Sequence, residues 1–394
     1  MEAPAVALVT YSTKPRGGVV HTIAIGEALH ALGAEVLVVG LGDPVTGFYR
    51  QVDVPVHIVP APLVDGALDE KVAANIDALE AGLGEVASRY PILHTQDCIA
   101  ARAAARVRDA GAHCEVLRTV HHVDDFTSEF LVDCQRQAII EPDRVFVVSQ
   151  SWQQTLREDY DVDAEVVSNG VDVARFGAAQ PATVLRTLRA RVGAGDRPLI
   201  LSVGGIEPRK GSDTLVEAMS RLVSSRTPSP VLAVVGGDSF QDHRPYRESV
   251  LDSLAPLGLT LGKDVVLVGT VPDAEMAAWY ATADVLAFPS LKEGFGLAAL
   301  EAMTAGLPVV TSDLPVFREW MVPGRHALVA PIGDAAALAD RLGTVLDDDV
   351  VRERLTHAGR RLASTYSWSA SARRHLDLYG MSTGAPEQAG RQAR

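Results

Sequence analysis

Two glutamates, Glu293 and Glu301, enclose seven residues in the stretch PSLKEGFGLAALEAMTAGLPVV, residues 289–310. The pattern predicts a strand, a turn that contains Gly294 and Gly296, and then a helix. Glycines at this point let the N–H groups of the helix N-terminus face anionic oxygens, which favours a phosphate site. Glu301, one turn inside the helix, is placed to accept from two neighbouring ribose hydroxyls, and Glu293 from hydroxyls beyond the phosphates.

A second stretch, LSVGGIEPRKGSDTLVEAM, adds two cations after a predicted strand. Arg209 and Lys210 follow the pair Gly204-Gly205 and are suited to neutralise a diphosphate by charge-assisted hydrogen bonds. A basic pair in isolation is better explained as part of a solvated turn, and each glutamate in isolation as a solvent-exposed side chain. Taken together, these residues predict a diphosphate flanked by two polyols, which is a nucleotide sugar.

A third stretch, TYSTKPRGGVVHTIAIGEAL, is predicted as the first strand, a loop, and a helix that begins near Val19. Arg16, Gly17 and Gly18 lie in the loop, where adjacent glycines permit close approach of a ligand to the helix N-terminus. A tight connection without a ligand explains this loop equally well. The stretch is not a GxGxxG dinucleotide fingerprint, and the chain has no Walker A pattern.

The elements around these loops alternate between short apolar runs and amphipathic stretches, as expected of parallel strands covered by helices on both faces. The length of 394 residues suits two domains. We therefore predict an α/β fold of two doubly wound parallel sheets, in which ligands bind at the carboxyl ends of the strands. The predicted strands are AVALVTYS, EVLVVGL, VHIVPAP, ILHTQD, EVLRTVH, RVFVVS and AEVVSNG, then LILSVGG, VLAVVGG, DVVLVGT, VLAFPS, PVVTSD and HALVAP.

Composition excludes several classes of protein. A formal charge of −14 argues against general nucleic-acid binding, which requires basic surfaces. Cys98, Cys114 and Cys134 form no CxxC pair, so neither a disulfide framework nor a zinc site is indicated. No transmembrane segment or signal peptide is predicted, and we expect a cytoplasmic protein.

The stretch around Glu293 and Glu301 resembles the Glu-x7-Glu signature of the retaining glycosyltransferases of GT-B fold, family 4. The stretches GGIEPRKG, VSNGVD and YSWSASARRHLDLY resemble other markers of that family, in the expected order, up to about Gly380. The resemblance implies two Rossmann-like domains that face a cleft. They are an acceptor-binding domain over 1–180, a donor-binding domain over 181–364, a helix over 365–380 that crosses back to the first domain, and a flexible tail over 381–394.

The resemblance also implies roles for individual residues. His121, after the strand EVLRTVH, matches the family's active-site histidine, and Val271 matches a loop placed against the base. The implied catalytic residues are His121, Arg209, Lys210 and Glu293. With the loop after the first strand included, the predicted donor-binding residues are Gly17, Gly18, Gly205, Val271, Gly294, Phe295, Gly296, Leu297 and Glu301. Arg16, Asp97 and His122 are predicted to contact the acceptor, although for Asp97 a cap of the helix that begins at Cys98 is the favoured role.

One position departs from the family pattern. Many members carry an arginine five residues before the clamp lysine, where this chain has Gly205.

The sequence DYDVD at 159–163 is similar to the metal-binding aspartates of the other large glycosyltransferase fold. Because it lies between a predicted helix and strand in a chain with two sheets, we interpret it as a polar turn and expect neither a metal nor another cofactor.

We therefore predict a bacterial hexosyltransferase that transfers sugar with retention from a UDP- or GDP-sugar to a small-molecule or glycan hydroxyl. In such a family retention is assigned to departure of the diphosphate from the face that the acceptor attacks, without a protein nucleophile. A GT-B phosphorylase or epimerase and a non-catalytic sugar-nucleotide sensor are the alternatives. A homodimer is compatible with the sequence.

Overall fold

The computed structural model describes residues 5–237 and 242–380. The tail predicted over 381–394 lies outside the described residues. The first sheet has seven parallel strands in the order β3-β2-β1-β4-β5-β6-β7. Its strands are β1 (Ala5–Thr10), β2 (Glu35–Gly42), β3 (Val56–Pro60), β4 (Ile92–Thr95), β5 (Glu115–Val120), β6 (Arg144–Val147) and β7 (Glu165–Val166).

The second sheet has six parallel strands in the order β10-β9-β8-β11-β12-β13. Its strands are β8 (Leu199–Val203), β9 (Val231–Val235), β10 (Val265–Gly269), β11 (Val285–Phe288), β12 (Val309–Ser312) and β13 (Leu328–Ala330). Every strand predicted from the apolar runs is therefore confirmed, and so is the doubly wound fold. Strand β7 is shorter than predicted.

Helices cover both faces of the sheets. Those of the first half are α1 (Gly17–Ala31), α2 (Leu68–Arg89), α3 (Cys98–Asp109), α4 (Glu129–Ile140), α5 (Gln150–Tyr160), α6 (Val173–Phe176) and α7 (Ala182–Arg191). The remaining ones are α8 (Ser212–Ser225), α9 (Arg244–Ser253), α10 (Met276–Thr282), α11 (Leu297–Ala305), α12 (Pro315–Arg318), α13 (Ala335–Asp347), α14 (Asp349–Ala363) and α15 (Trp368–Leu378). In residues 5–237 and 242–380 we find no helix whose length and apolarity would suffice to cross a bilayer.

Strand β1 shows why the sequence reads as a continuous apolar run. Val6 and Leu8 pack into the apolar cluster beneath α1 and α15, whereas Ala7 and Val9 pack into the cluster beneath α2 and α3. Successive side chains of a strand point to opposite faces, so a strand covered on both sides must be apolar at every position.

The last helix, α15, returns to the first domain as predicted. It packs against α1, and its residues Ala372 and Leu376 belong, with Tyr379 just after its end, to the same buried cluster as Val6 and Leu8. The chain thus passes between the domains twice, and the two passes are joined by a β-bridge between Val171 and Ser367. Helices α6 and α7 pack against α10. The boundary after residue 180 stays a prediction.

Both sheets have a point where the strand order reverses. In the first sheet it lies between β1 and β4, and in the second between β8 and β11. Connections leave these paired strands in opposite directions, which opens a crevice at their carboxyl ends.

Helix α1 follows the loop after β1. It begins at Gly17, two residues before the predicted start near Val19.

Candidate functional site

The predicted phosphate residues converge at the β8/β11 reversal. Lys210 Nζ lies 2.5 Å from Glu293 Oε1, and Arg209 Nη1 lies 3.5 Å from the same oxygen. Arg209 also pairs through Nε with Glu207 Oε2 at 3.3 Å. Ser290 Oγ donates to Glu293 Oε1 at 3.0 Å. Two cations and two carboxylates therefore form one compact cluster at the end of the strands.

Charge is retained in this cluster despite burial. Burial by itself raises the pKa of Glu293, but Lys210 and Arg209 outweigh it and hold the pKa below that of an ordinary glutamate. Burial lowers the pKa of Lys210, and the nearby Glu293 carboxylate offsets part of that shift. The Glu293 side chain is only 9% exposed, so the pair is poorly screened by solvent. In the free protein Glu293 is thus paired with the two cations that were predicted to bind the diphosphate.

The turn from Glu293 to Leu297 is held by two tryptophans. Trp152 Nε1 donates to the Glu293 carbonyl at 3.1 Å, and Trp320 Nε1 donates to the Phe295 carbonyl at 3.1 Å. The Phe295 ring stacks on Trp320 with centroids 5.4 Å apart. In the part of the chain that the structure describes, the N–H groups of Gly294, Phe295 and Gly296 have no hydrogen-bond acceptor. The turn therefore presents unpaired donors before α11, as a phosphate site requires.

Gly296 meets two requirements at once. Its φ of 97° lies in the left-handed region, and a Cβ at this position would lie 2.6 Å from the Phe317 ring. Any other residue would strain the backbone and collide with the apolar core. The glycine predicted from the pattern is thus required by the local geometry as well as by the proposed phosphate contact.

His121 joins the two halves of the cleft. A Cβ on Gly294 would lie 2.1 Å from the His121 carbonyl oxygen, and one on Gly18 would lie 3.7 Å from His121 Cδ2. The structure therefore brings together the loops that follow β1, β5 and β11. Burial, followed by the nearby His122 and Arg118, lowers the pKa of His121 to about 3. His121 is accordingly a neutral imidazole at physiological pH.

The predicted acceptor residues are less clearly arranged for binding. Asp97 caps α3 by accepting from Ala100 N at 2.8 Å, and its other oxygen accepts from Tyr11 N at 2.8 Å. Both oxygens thus have structural partners, and the alternative interpretation as a helix cap is confirmed. Arg16 donates to the Tyr11 hydroxyl and stacks over its ring. His122 Nε2 lies 3.5 Å from Asp124 Oδ1.

Glu301 lies inside α11 and accepts from the Tyr280 hydroxyl at 2.7 Å. Burial raises the pKa of Glu301 to about 7, although the Tyr280 hydrogen bond and Arg175 lower it. The Glu301 carboxylate, with so few donors around it, is suited to receive hydroxyl groups of a ligand.

Val271, predicted to contact the base, is half-buried on the loop after β10 and packs against the core beneath α10 and α11.

The absence of a side chain at Gly205 is explained by the segment that directly follows β9. A Cβ at position 205 would lie 2.3 Å from the Gly237 carbonyl oxygen, so the crowded backbone leaves no room for a side chain. The arginine common in the family is therefore excluded by packing in this chain. Arg209 supplies the second cation from the short 3₁₀ turn that precedes α8.

We expect Gly205→Ala to lower the free energy of unfolding by roughly 1–3 kcal/mol, because the strand ends must move apart. Gly205→Arg should not increase activity, since no space exists for the side chain to reach the clamp. Thermal melts and activity assays would check both results. Gly84→Ala is the matched control, because a Cβ there meets nothing within 4 Å and alanine favours the helix. A stable, more active Gly205→Arg protein would contradict the steric argument.

The sequence DYDVD forms a helix end. Helix α5 ends at Tyr160, Asp161 adopts a left-handed conformation with φ 56°, and Asp163 pairs with Arg157. This confirms the interpretation as a polar turn. Throughout residues 5–237 and 242–380, no group of three or more histidines, cysteines or carboxylates is arranged to hold a metal ion. Metal independence stays a prediction.

Several residues that shape the site were not predicted. They are the two tryptophans, Ser290, Glu207, Tyr280 and Gln96, whose Oε1 lies 3.1 Å from His121 Nε2. Ser290, Glu207 and Gln96 each follow a strand at a reversal point, and that position was the available signal. Nothing local in the sequence marks the tryptophans or Tyr280, because their partners lie far away along the chain.

Two parallel sheets that face a cleft, with cations and unpaired N–H groups at their carboxyl ends, define a GT-B glycosyltransferase. Solved structures agree on this fold. A sucrose-phosphate synthase from Thermosynechococcus elongatus has a TM-score of 0.77 at 24% identity, over 96% of this chain and 98% of that one. Anabaena HepE, in complex with UDP and glucose, has a TM-score of 0.79 at 20% identity, over 95% and 99%.

Sequence comparison defines the family. The profile described as glycosyl transferases group 1 matches residues 186–362, and the profile described as glycosyltransferase family 4 matches residues 15–175. The D-inositol 3-phosphate glycosyltransferase of Xylanimonas cellulosilytica is 30% identical, over 96% of this chain and 97% of that protein. This chain belongs to glycosyltransferase family 4 and is a glycosyltransferase.

Proposed function

We propose that this glycosyltransferase transfers a sugar from a UDP- or GDP-sugar to an acceptor hydroxyl with retention at the anomeric carbon, without a metal ion. The observation that carries the proposal is the cluster of Arg209, Lys210 and Glu293 beside the unpaired N–H groups of the turn before α11. The complex of the Anabaena neighbour with UDP and glucose supports a donor of this class.

The diphosphate would displace Glu293 as the partner of Lys210 and Arg209. As the bond between the sugar and the diphosphate breaks, negative charge grows on the leaving oxygens. Preorganised cations and N–H groups stabilise that charge in a site that excludes water, and such stabilisation commonly contributes more to catalysis than any other effect. Glu293, released from the cations, is then available to accept from the sugar hydroxyls.

The acceptor side is formed by the first domain. The relatives named D-inositol 3-phosphate glycosyltransferases support a polyol hydroxyl as the attacking group. His121 lies where the two domains touch, so it would contact the transferred sugar and the acceptor together. Attack from the face that the diphosphate leaves requires both substrates to be held in one orientation, which two facing rigid domains provide.

A panel of nucleotide sugars, read by ligand-induced thermal shift, tests the donor assignment. We expect a UDP- or GDP-sugar to raise the melting temperature without added metal and with excess chelator present. Incubation with a panel of polyols, followed by NMR of the product, should then show the anomeric configuration of the donor. If no nucleotide sugar stabilises the protein, the donor proposal is wrong. Release of sugar into inorganic phosphate would instead indicate a phosphorylase.

Glu301 gives the donor affinity a specific pH dependence. Ribose hydroxyls donate to the ionised carboxylate, and the pKa of Glu301 is raised by burial to about 7. Affinity for a nucleotide sugar should therefore fall about tenfold between pH 8 and pH 6, as the carboxylate becomes protonated. Titration calorimetry would measure this, because the diphosphate diester of the donor does not itself titrate in this range.

Glu301→Gln is the control for this titration. Its affinity should be low and independent of pH between 6 and 8. Because the folded pKa of Glu301 exceeds the unfolded one, its contribution to stability is present below the unfolded pKa and lost as the pH rises through 7. Glu301→Gln should thus stabilise the free protein at pH 8. Equal wild-type affinity at both pH values would contradict the ribose assignment.

A further inference from the structure

Gln96 lies at the β1/β4 reversal, directly after β4. Its backbone N–H donates to the Val9 carbonyl at 3.0 Å, which continues the pairing between the two strands. Its side chain is almost fully buried, with 3% of the residue exposed. A polar amide buried at the point where the crevice opens is costly unless it makes a specific contact.

The side chain of Gln96 makes that contact with His121. Gln96 Oε1 lies 3.1 Å from His121 Nε2, and the amide Nε2 of Gln96 has no partner among the residues that the structure covers. A carbonyl oxygen only accepts, so this geometry requires the proton of the imidazole to reside on Nε2. The other ring nitrogen is then left as an acceptor.

The surroundings of His121 disfavour a positive charge on the ring. The ionisable groups around it are His122 and Arg118 on its own segment, His21 from α1, His94 from β4 and His375 from α15. The His21 ring meets the His121 ring edge-on, with centroids 4.7 Å apart. Burial lowers the pKa of His121, and His122, Arg118, His94 and His375 lower it further. A carboxylate at position 96 would oppose all of them, whereas a neutral amide does not.

We propose that Gln96 is a positioning residue of the transfer site, which holds His121 in one orientation as the neutral tautomer protonated on Nε2. This inference rests on the proposed function, in which His121 lies beside the transferred sugar. As the bond to the diphosphate breaks, the sugar acquires positive charge, as in other glycosyl transfers. A neutral imidazole adds no repulsion at that moment, while an imidazolium would.

Two substitutions separate the charge of the partner from its shape. Gln96→Glu offers a carboxylate to His121 and should raise its pKa by at least about 2 units, into the range that can be titrated. Starting from about 3, this shift places the pKa of His121 near 5 in the variant. We expect kcat to be low at about pH 4.5 and to recover toward pH 7 as the imidazolium loses its proton. Gln96→Met keeps the volume but removes the hydrogen bond, and should lower kcat about 10- to 100-fold at every pH.

The direct readout is ¹⁵N NMR of the histidine rings in the full-length protein. The His121 signals are identified by their loss in His121→Asn, and they should show a neutral ring protonated on Nε2 from pH 6 to pH 9. Donor affinity, read by thermal shift, should change less than about threefold in both Gln96 variants, since the contact concerns orientation. Gln180→Glu, which adds the same charge on the segment before α7, is the control and should leave kcat unaltered.

Each outcome decides one claim. A wild-type proton on Nδ1, or a His121 titration that does not change in Gln96→Glu, overturns the assignment of the tautomer. An unchanged kcat in both variants overturns the positioning role even when the NMR result is as expected. If the rings behave as expected but no nucleotide sugar reacts or binds, the proposed function fails and the tautomer assignment stands.

Discussion

Replacing Lys210 with methionine is expected to lower kcat/KM about 10³-fold. The ammonium group lies in a buried cluster with Glu293 and Arg209, where a preorganised charge stabilises a leaving diphosphate far more than it would in water. Methionine retains the packing of the aliphatic stem but supplies no charge. Steady-state kinetics with the nucleotide sugar found by the donor panel would measure the loss.

The same substitution also removes the main partner of a buried carboxylate. We expect the free energy of unfolding to fall by roughly 3 kcal/mol, because Glu293 keeps the hydroxyl of Ser290 but has only the more distant Arg209 as a charged partner. The double variant Lys210→Met/Glu293→Gln should recover stability without recovering activity, which separates folding from catalysis. Lys263→Met, at an exposed lysine, is the control. A Lys210→Met protein within tenfold of wild-type kcat/KM would show that the diphosphate is held elsewhere.

Gly294→Ala is expected to have the second largest effect. The added methyl group would lie 2.1 Å from the His121 carbonyl oxygen, which belongs to the opposite domain. Both sides of this contact are backbone, so neither can yield by changing a rotamer. The loops must separate, and a misplacement of about 1 Å is enough to cost about 10²-fold in rate.

Donor affinity and the rate of transfer should respond differently to Gly294→Ala. Donor affinity should fall less than kcat, because Lys210, Arg209 and Glu301 all belong to the second domain, whereas transfer needs both domains. Thermal shift with donor and single-turnover transfer assays would give the two values. Gly84→Ala on α2, where a Cβ meets nothing, should leave both unchanged. Normal transfer by Gly294→Ala would mean that the contact with His121 opens before reaction.

The fold was largely predictable because its information is local. The central strands are buried on both faces and are therefore apolar at most positions, so they are visible as runs of apolar residues. The edge strands β3 and β7 are partly exposed and carry a weaker signal. The turn with Gly294 and Gly296 was predictable for a similar reason, since a glycine is required where a ligand or another backbone approaches. The positions of Arg209 and Lys210 followed from the rule that ligands bind beyond the carboxyl ends of strands.

The partners of these residues were not predictable. Trp152 holds the Glu293 carbonyl from a position 141 residues earlier, and His21 lies 148 residues from its hydrogen-bond partner Asn169. Trp152 and Glu293 meet only after the two domains have docked, and His21 and Asn169 meet only after distant segments of the first domain have packed. No member of either pair carries a local signal. The crowding of Gly205 by Gly237 is of the same kind, because it depends on how closely two strand ends approach.

The bridge between Val171 and Ser367 determines how the two domains can move. Val171 N donates to the Tyr366 carbonyl at 3.1 Å, and a Cβ on Gly170 would lie 2.2 Å from Trp368 N. The outgoing and returning segments are therefore fastened side by side and define a single axis. We therefore expect the cleft to open for substrates by rotation about this axis, because translation of one domain against the other would break both crossings at once.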